Sequence, residues 1–192
     1  MSQGDPFEAP HGYSLRRLQI DSPGELDLIV SSSMKTVLDT IVELEGSEER
    51  ARQLIPNFSH AQMRAMYARD LERPDSHQFV VAATEAGEIA GHAIYFLRPP
   101  DPHAPTQAAP SGYLFTLYVD PSHRKRGVAS SLMNHMISWL EARGAALIEA
   151  HTHVTNAPLI GLATRHGFAI VSKHEKPWPH FLLRRTTAER RS

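Results

Sequence analysis

The sequence predicts an α/β fold, with a mixed, mostly antiparallel central sheet flanked by helices. Three observations carry that expectation. Runs rich in aromatic and β-branched residues alternate with apolar stripes at three- and four-residue spacing. Two of the strand-like runs, Phe79–Thr84 and Ile89–Leu97, are joined through Glu85-Ala86-Gly87-Glu88 as an antiparallel hairpin. Helices and strands are interleaved along 192 residues, a length at which one domain with its own core is the default.

The elements follow in order. Residues 1–12 are polar with two prolines and read as a loose tail. Tyr13–Leu18 is a first strand. Asp21-Ser22-Pro23 opens a helix, with a capping residue followed by proline in the first turn. Its stripe is Leu26, Ile29, Val30, Met34, Val37, Leu38, Ile41 and Leu44, and it stops near Gly46. Ser47-Glu48-Glu49 starts a short helix that ends before Pro56. Ser59 and Gln62 have capping-box spacing and begin a helix carrying Met63, Met66, Tyr67 and Leu71, closed before Pro74. After the hairpin, the proline-dense stretch 98–112 reads as a loop. A strand over Tyr113–Val119 is broken by Asp120-Pro121-Ser122, since Pro121 has no N–H for a ladder. A helix with the stripe Val128, Leu132, Met136, Ile137 and Leu140 runs to Gly144. Then come a strand over Ala145–Val154, a helix over Asn156–His166, and strands over Phe168–His174 and Phe181–Arg185. The domain is expected to span 13–185, with 186–192 a frayed charged tail.

Composition narrows the function. The formal net charge of −1 does not suggest a nucleic-acid binder. No apolar run of about 18 residues and no signal-peptide pattern occur, so neither a membrane span nor export is expected and the chain reads as cytoplasmic. With no cysteine, disulfides, thiolate metal sites and a cysteine-bound acyl intermediate are excluded.

The most informative stretch is the junction between Leu117 and Gly144. Arg124, Lys125 and Arg126 precede Gly127, Val128, Ala129 and Ser130, where a helix begins. A helix start leaves backbone N–H groups unpaired and adds partial positive charge. Gly127 and Ala129 do not hold a ligand away from that backbone, and Ser130 and Ser131 add hydroxyl donors. A phosphate or pyrophosphate suits such a site. The pattern is neither a P-loop nor the three-glycine dinucleotide fingerprint. On the pattern alone, an anion site and a solvated basic turn fit equally well.

These residues resemble a family. A strand, Val-Asp-Pro, a basic turn, then Arg124-Lys125-Arg126-Gly127-Val128-Ala129 and an amphipathic helix are similar to the coenzyme A site of the GNAT superfamily of N-acetyltransferases. Asn156 and the later Gly167-Phe168 match the family's second motif, and the resemblance extends from Tyr13 to Arg185. It implies acetyl-CoA as cosubstrate, an amine acceptor and the acyl-CoA N-acyltransferase fold. It also implies that the backbone near Leu117, Tyr118 and Val119 orients the pantetheine arm and that Asn156 contacts it; as a helix N-cap, Asn156 can fill both roles. Dimers are common in the family, so a homodimer is among the expectations.

The resemblance also marks a departure. Relatives place a tyrosine, the usual general acid, four residues before the Gly-Phe pair; here that residue is Ala163. Thr164 and His166 are its polar neighbours. The positions where some relatives carry a base are Tyr113 and Phe115. Phe115 has no titratable group, and Tyr113 would bind substrate or pack. On the next strand, alternation puts Glu149, His151 and His153 on one face, where a base or substrate role near neutral pH is open to them. His151-Thr152-His153 lacks an evident third ligand, so no metal site is expected. Glu43, Glu45, Glu48 and Glu49 either help wall a cationic acceptor or form a solvated helix end. The leading expectation is direct acetyl transfer to a small-molecule or protein amine. A non-catalytic acyl-CoA-binding regulator and a phosphate-binding protein of another kind are the alternatives.

Overall fold

The computed structural model describes residues 9–19, 22–47, 49, 59–100, 109–176 and 179–187. Seven strands form one sheet: β1 (Tyr13–Arg17), β2 (His77–Thr84), β3 (Ile89–Arg98), β4 (Ser111–Val119), β5 (Leu147–His153), β6 (Ala169–His174) and β7 (His180–Thr186). Their order is β1-β2-β3-β4-β5-β7-β6. Every neighbouring pair is antiparallel except β4 and β5, which are parallel. A parallel pair needs a crossover, and a helix, α3 below, supplies it. The short helix expected after Ser47 and most of both tails lie outside the described residues.

Four α-helices accompany the sheet: α1 (Pro23–Glu45), α2 (His60–Leu71), α3 (Val128–Ala142) and α4 (Ala157–Arg165). α1 ends on Gly46 in the left-handed conformation, its N–H bonding the Val42 carbonyl. At the start of α2, Ser59 and Gln62 form the expected reciprocal capping box. The two helix pairs cover opposite faces. Leu26, Ile29, Val30, Met63 and Tyr67 of α1 and α2 pack with Phe79, Val81 and Ile94. On the other face, Val128, Leu132, Met136, Ile137 and Leu140 of α3, all buried, meet Val80, Ala82, Ala93, Tyr95, Leu114 and Ile148. Each buried Val, Leu, Ile, Phe or Met side chain among them contributes roughly 1.5–3 kcal/mol. His135 of α3 is also buried, where Tyr95 Oη bonds its Nδ1 at 2.7 Å.

The strand boundaries correct the sequence reading at one place that matters. Arg98 ends β3, and Ser111 and Gly112 begin β4, so the loop is shorter than 98–112. The sequence shows only glycine and serine there. Packing explains the glycine: a Cβ on Gly112 would lie 2.5 Å from Leu140 Cδ1, so α3 rests directly on this backbone.

Gly91 marks a second close approach. A Cβ there would stand 2.6 Å from the Tyr118 carbonyl oxygen on β4, a backbone atom with little freedom to retreat. Gly91→Ala should therefore destabilise by about 1–3 kcal/mol through overpacking. Gly24→Ala, in α1 with nothing within 4 Å, should be neutral or stabilising by up to ~1 kcal/mol. Thermal melts of both variants check the contrast, and equal midpoints would contradict this packing.

Candidate functional site

The site begins where two parallel strands stop pairing. β4 and β5 are in register only from Ser111↔Leu147 to Leu114↔Ala150. β4 then runs on to Val119 and β5 to His153 without a partner across the gap among the described residues. The register between β3 and β4 shows the distortion that accompanies this parting: Tyr95 faces Leu114 and Ile94 faces Thr116, leaving Phe115 as the extra residue of a bulge. Bulges bend and twist a strand locally. Phe115 is 45% exposed there, with Tyr67 of α2 edge-on to its ring at 6.3 Å.

Leu117, Tyr118 and Val119 follow the bulge and border the gap. Leu117 and Val119 face the α3 side, while Tyr118 stacks on buried His92 at 5.6 Å. Burial pushes the His92 imidazole down to about 3, and Ser33 Oγ lies 3.3 Å from its Nε2. His92 is therefore neutral and structural.

At the strand's end the chain turns tightly. Asp120 accepts hydrogen bonds from the Ser122 N–H and hydroxyl, which hold its carboxyl below the usual range. A single 3-10 turn, Pro121–His123, follows. Buried His123 anchors it: Tyr13 Oη lies 3.0 Å from Nδ1 and a Glu88 carboxylate oxygen 3.6 Å from Nε2. Arg124 Nε donates to the Val119 carbonyl at 3.2 Å, tying the turn back to β4.

Lys125 (φ 59°) and Gly127 (φ 87°) are both left-handed, flanking exposed Arg126. Backbone alternating in this way makes a concavity of N–H groups that suits an anion. Gly127 is the N-cap of α3 and carries no capping side chain. The first rung of the helix ladder is Ser131 N–H to the Gly127 carbonyl at 3.0 Å, so the N–H groups of Val128, Ala129 and Ser130 precede it. Val128 is buried as the first core residue, Ala129 is half-buried, and Ser130 Oγ lies 2.9 Å from His166 Nε2. His166 thus joins the end of α4 to the start of α3. Asn156 caps α4, its Oδ1 accepting from the Leu159 N–H at 3.2 Å.

On the other bank, the four candidate reacting groups fall on the expected face but in different settings. Glu149 is taken by Arg184, whose Nε and Nη2 donate to Oε1 at 3.0 and 2.6 Å. Tyr113 Oη lies 3.5 Å from Nδ1 of exposed His151. Burial raises the Tyr113 phenol above its ordinary value, and burial with the neighbouring His180 lowers the His151 imidazole. His153 is buried. The Thr155 N–H donates to its Nδ1 at 3.2 Å, so Nδ1 accepts and a ring N–H sits on Nε2. That buried Nε2 has no hydrogen-bond partner among the described residues.

Ala163, where the sequence resemblance implies an acid, is 2% exposed and packs with Leu162 and Phe168 in the core. No proton donor stands there. The side chains of Glu43, Glu45 and Glu48 lie outside the described residues, and Glu49 is exposed. Residues the sequence did not single out also reach this bank: Phe96 and Arg98 from β3, His174 from β6, and His180 and Arg184 from β7. Cross-strand register brings them together, and no local motif announces it. Among the described residues, no group of three or more His, Asp or Glu side chains is placed to hold a metal ion, and no helix is long and apolar enough to cross a membrane.

Comparison with known proteins bears on the fold and the family. The [ribosomal protein bS18]-alanine N-acetyltransferase of Escherichia coli K12 is 36% identical over 55 residues, which is 29% of this chain and 37% of that protein. The chain thus matches little more than a third of that relative's length. A Salmonella typhimurium protein solved with its cofactor acetyl-CoA superposes with a TM-score of 0.66 at 15% identity, covering 95% of this chain and 98% of the other. An N-acetyltransferase from Thermoplasma acidophilum in complex with coenzyme A gives 0.65 at 13% identity, covering 91% and 99%. At such identities the likeness shows the fold. The acetyltransferase (GNAT) family model matches residues 39–168, more than half of the sequence and the whole run from β2 to the Gly-Phe pair. On that match, the chain belongs to the GNAT acetyltransferase family.

Proposed function

We propose that the protein is an N-acetyltransferase that moves an acetyl group from acetyl-CoA to a primary amine of a small molecule or protein by direct attack. The observation that carries this reading is the alignment of two features: a gap between β4 and β5, and an uncapped, positively charged helix start at its end. Relatives solved with acetyl-CoA and coenzyme A support it, as does the relative named as an alanine N-acetyltransferase. One unit over 13–185 accounts for both features, and a cytoplasmic location suits a chain without cysteine.

Acetyl-CoA, when bound, supplies the acetyl thioester. The N–H groups at Gly127–Ser130, with Arg124, Lys125 and Arg126, would hold its pyrophosphate. The backbone of Leu117, Tyr118 and Val119 would orient the arm in the gap, with Asn156 on the opposite bank. In the reaction an amine nitrogen bonds the carbonyl carbon, the carbon–sulfur bond breaks, and the amine loses a proton. Glu149 is engaged by Arg184, so His151, hydrogen-bonded near Tyr113, is the better base. His153 offers its Nε2–H as a donor toward developing negative charge. The sulfur's proton then comes from water, since Ala163 has none to give.

A second reading, a non-catalytic acyl-CoA-binding regulator, is favoured by Ala163 alone. Acetyl-CoA-dependent thiol release against an amine panel separates the two, and with no cysteine in the chain there is no background thiol. Turnover establishes the enzyme; tight binding of acetyl-CoA with no turnover for any amine points to the regulator.

Gly127→Glu should weaken acetyl-CoA binding by more than about tenfold by calorimetry, because a carboxylate takes the place of the anion. Gly127→Ala carries the same left-handed strain, about 1–2 kcal/mol, without the charge. If both variants lose equal affinity, strain rather than charge explains the loss. His153→Ala should lower kcat by about 100–1,000-fold with acetyl-CoA affinity unchanged, the range for removing one transition-state hydrogen-bond donor; an unaltered kcat removes His153 from the reaction. Because burial and His180 hold His151 below 6.5, the limb of kcat/KM that rises with pH should lie on the acid side of that value. His151→Gln should abolish the limb, whereas a limb that survives in this variant belongs to another group.

A further inference from the structure

Six rings cross six strands on one face of the sheet. His77 of β2 stacks on Phe96 of β3 with ring centres 5.2 Å apart, and Phe96 meets Tyr113 of β4, also at 5.2 Å. Tyr113 meets His151 of β5 edge-on at 5.9 Å, His151 meets His180 of β7 at 5.1 Å, and His180 stacks on His174 of β6 at 5.0 Å. Register produces the row. His77↔Phe96, Phe96↔Tyr113 and His174↔His180 are direct partners, and His151 is the diagonal neighbour of Tyr113 and of His180. α1 and α2 pack on this same face over Phe79, Val81 and Ile94, and the part of the row from Arg98 to His174 remains partly exposed.

The charges on the row are unequal. The Arg98 guanidinium lies 4.1 Å from the Tyr113 ring centre and 5.3 Å from that of Phe96. Glu149 is the only carboxylate among the described residues that pairs with Arg98 or Arg184. Arg184 holds Glu149 Oε1 at 2.6 Å, and Arg98 reaches Oε2 only at 3.8 Å. Two guanidiniums against one carboxylate leave a net positive charge before any histidine protonates. Arg98 is the more available of the two, its side chain 44% exposed and stacked rather than closely hydrogen-bonded. Position completes the argument. Tyr113 and Glu149 form the last rung but one before β4 and β5 part, so a ligand on Tyr113 and Arg98 lies about two strand residues, ~7 Å, from the gap.

Resting on the transferase reading above, we propose that this row is the acceptor subsite and that it selects an amine carrying a carboxylate on the same small scaffold. The acceptor is an amino acid, aromatic by preference, and not a polyamine. The carboxylate pairs with Arg98, a ring lies along Tyr113 and His151, and the amine faces the gap. A polycation would meet the same guanidinium as repulsion. An acidic side chain near a peptide's N-terminus presents the same chemistry from a second source.

The test compares phenylalanine, phenylalaninamide, 2-phenylethylamine, spermidine and a peptide beginning Ala-Glu as acceptors. Binding of each to the CoA-saturated protein is measured by calorimetry alongside acetylation. Phenylalanine should exceed its amide and 2-phenylethylamine by about tenfold or more in kcat/KM, with spermidine weakest. Arg98→Gln should lower kcat/KM for phenylalanine by about tenfold more than for its amide, erasing that advantage, with acetyl-CoA affinity unchanged; an equal loss for all acceptors would make Arg98 merely structural. Preference for the acidic peptide, equally dependent on Arg98, upholds the carboxylate and names a peptide as its source. Normal CoA binding with no carboxylate preference, or with spermidine preferred, overturns the inference and leaves the transferase reading standing. If CoA does not bind, the transferase reading fails, and the binding preference of the CoA-free protein for phenylalanine over its amide decides the subsite alone.

Discussion

Parallel pairing between β4 and β5 lasts four residues and then stops, and the site is arranged around that interruption. β4 remains committed to β3 along its whole length, through a bulge at Phe115 and the close contact at Gly91. β5 is held equally firmly by β7 over all seven of its residues. Neither strand can leave its antiparallel partner without losing a ladder, so the opening between them is kept by the sheet itself. The buried α3 face fixes where the crossover helix starts, and therefore where its positive end lies.

The two faces of the opening have different chemistry. On the α3 side the backbone dominates: left-handed Lys125 and Gly127, a helix start without a capping side chain, and a turn pinned by Asp120, His123 and Arg124. Backbone donors suit a cosubstrate common to many relatives. On the opposite side, side chains dominate, and rings and guanidiniums from β3, β4, β5, β6 and β7 share one surface. Side chains change without disturbing the ladder beneath them, so a surface of this kind is free to differ between members of a family.

The same division explains what the sequence revealed. Groups adjacent in the chain were legible: the strand break at Asp120-Pro121, the basic turn, Gly127, the stripe of α3, the cap at Asn156 and the substitution at Ala163. Alternation also placed Glu149, His151 and His153 on one face. What separates those three is tertiary. Arg184 neutralises Glu149 from β7, Thr155 fixes the tautomer of His153, and His180 sets the surroundings of His151. Each depends on strand register, which periodicity does not specify. The bulge at Phe115 has no signal in residue type, and the burial of Gly112 follows from Leu140, 28 residues beyond it.

The central claim is that the gap and the helix start act as one binding site for acetyl-CoA. Amide hydrogen exchange with and without coenzyme A tests it most directly. The account predicts added protection in two separate stretches, Phe115–Val119 and Arg124–Ser131, with the β1–β2 pairing unaffected. Protection absent from both, or confined to one of them at saturating coenzyme A, would contradict it.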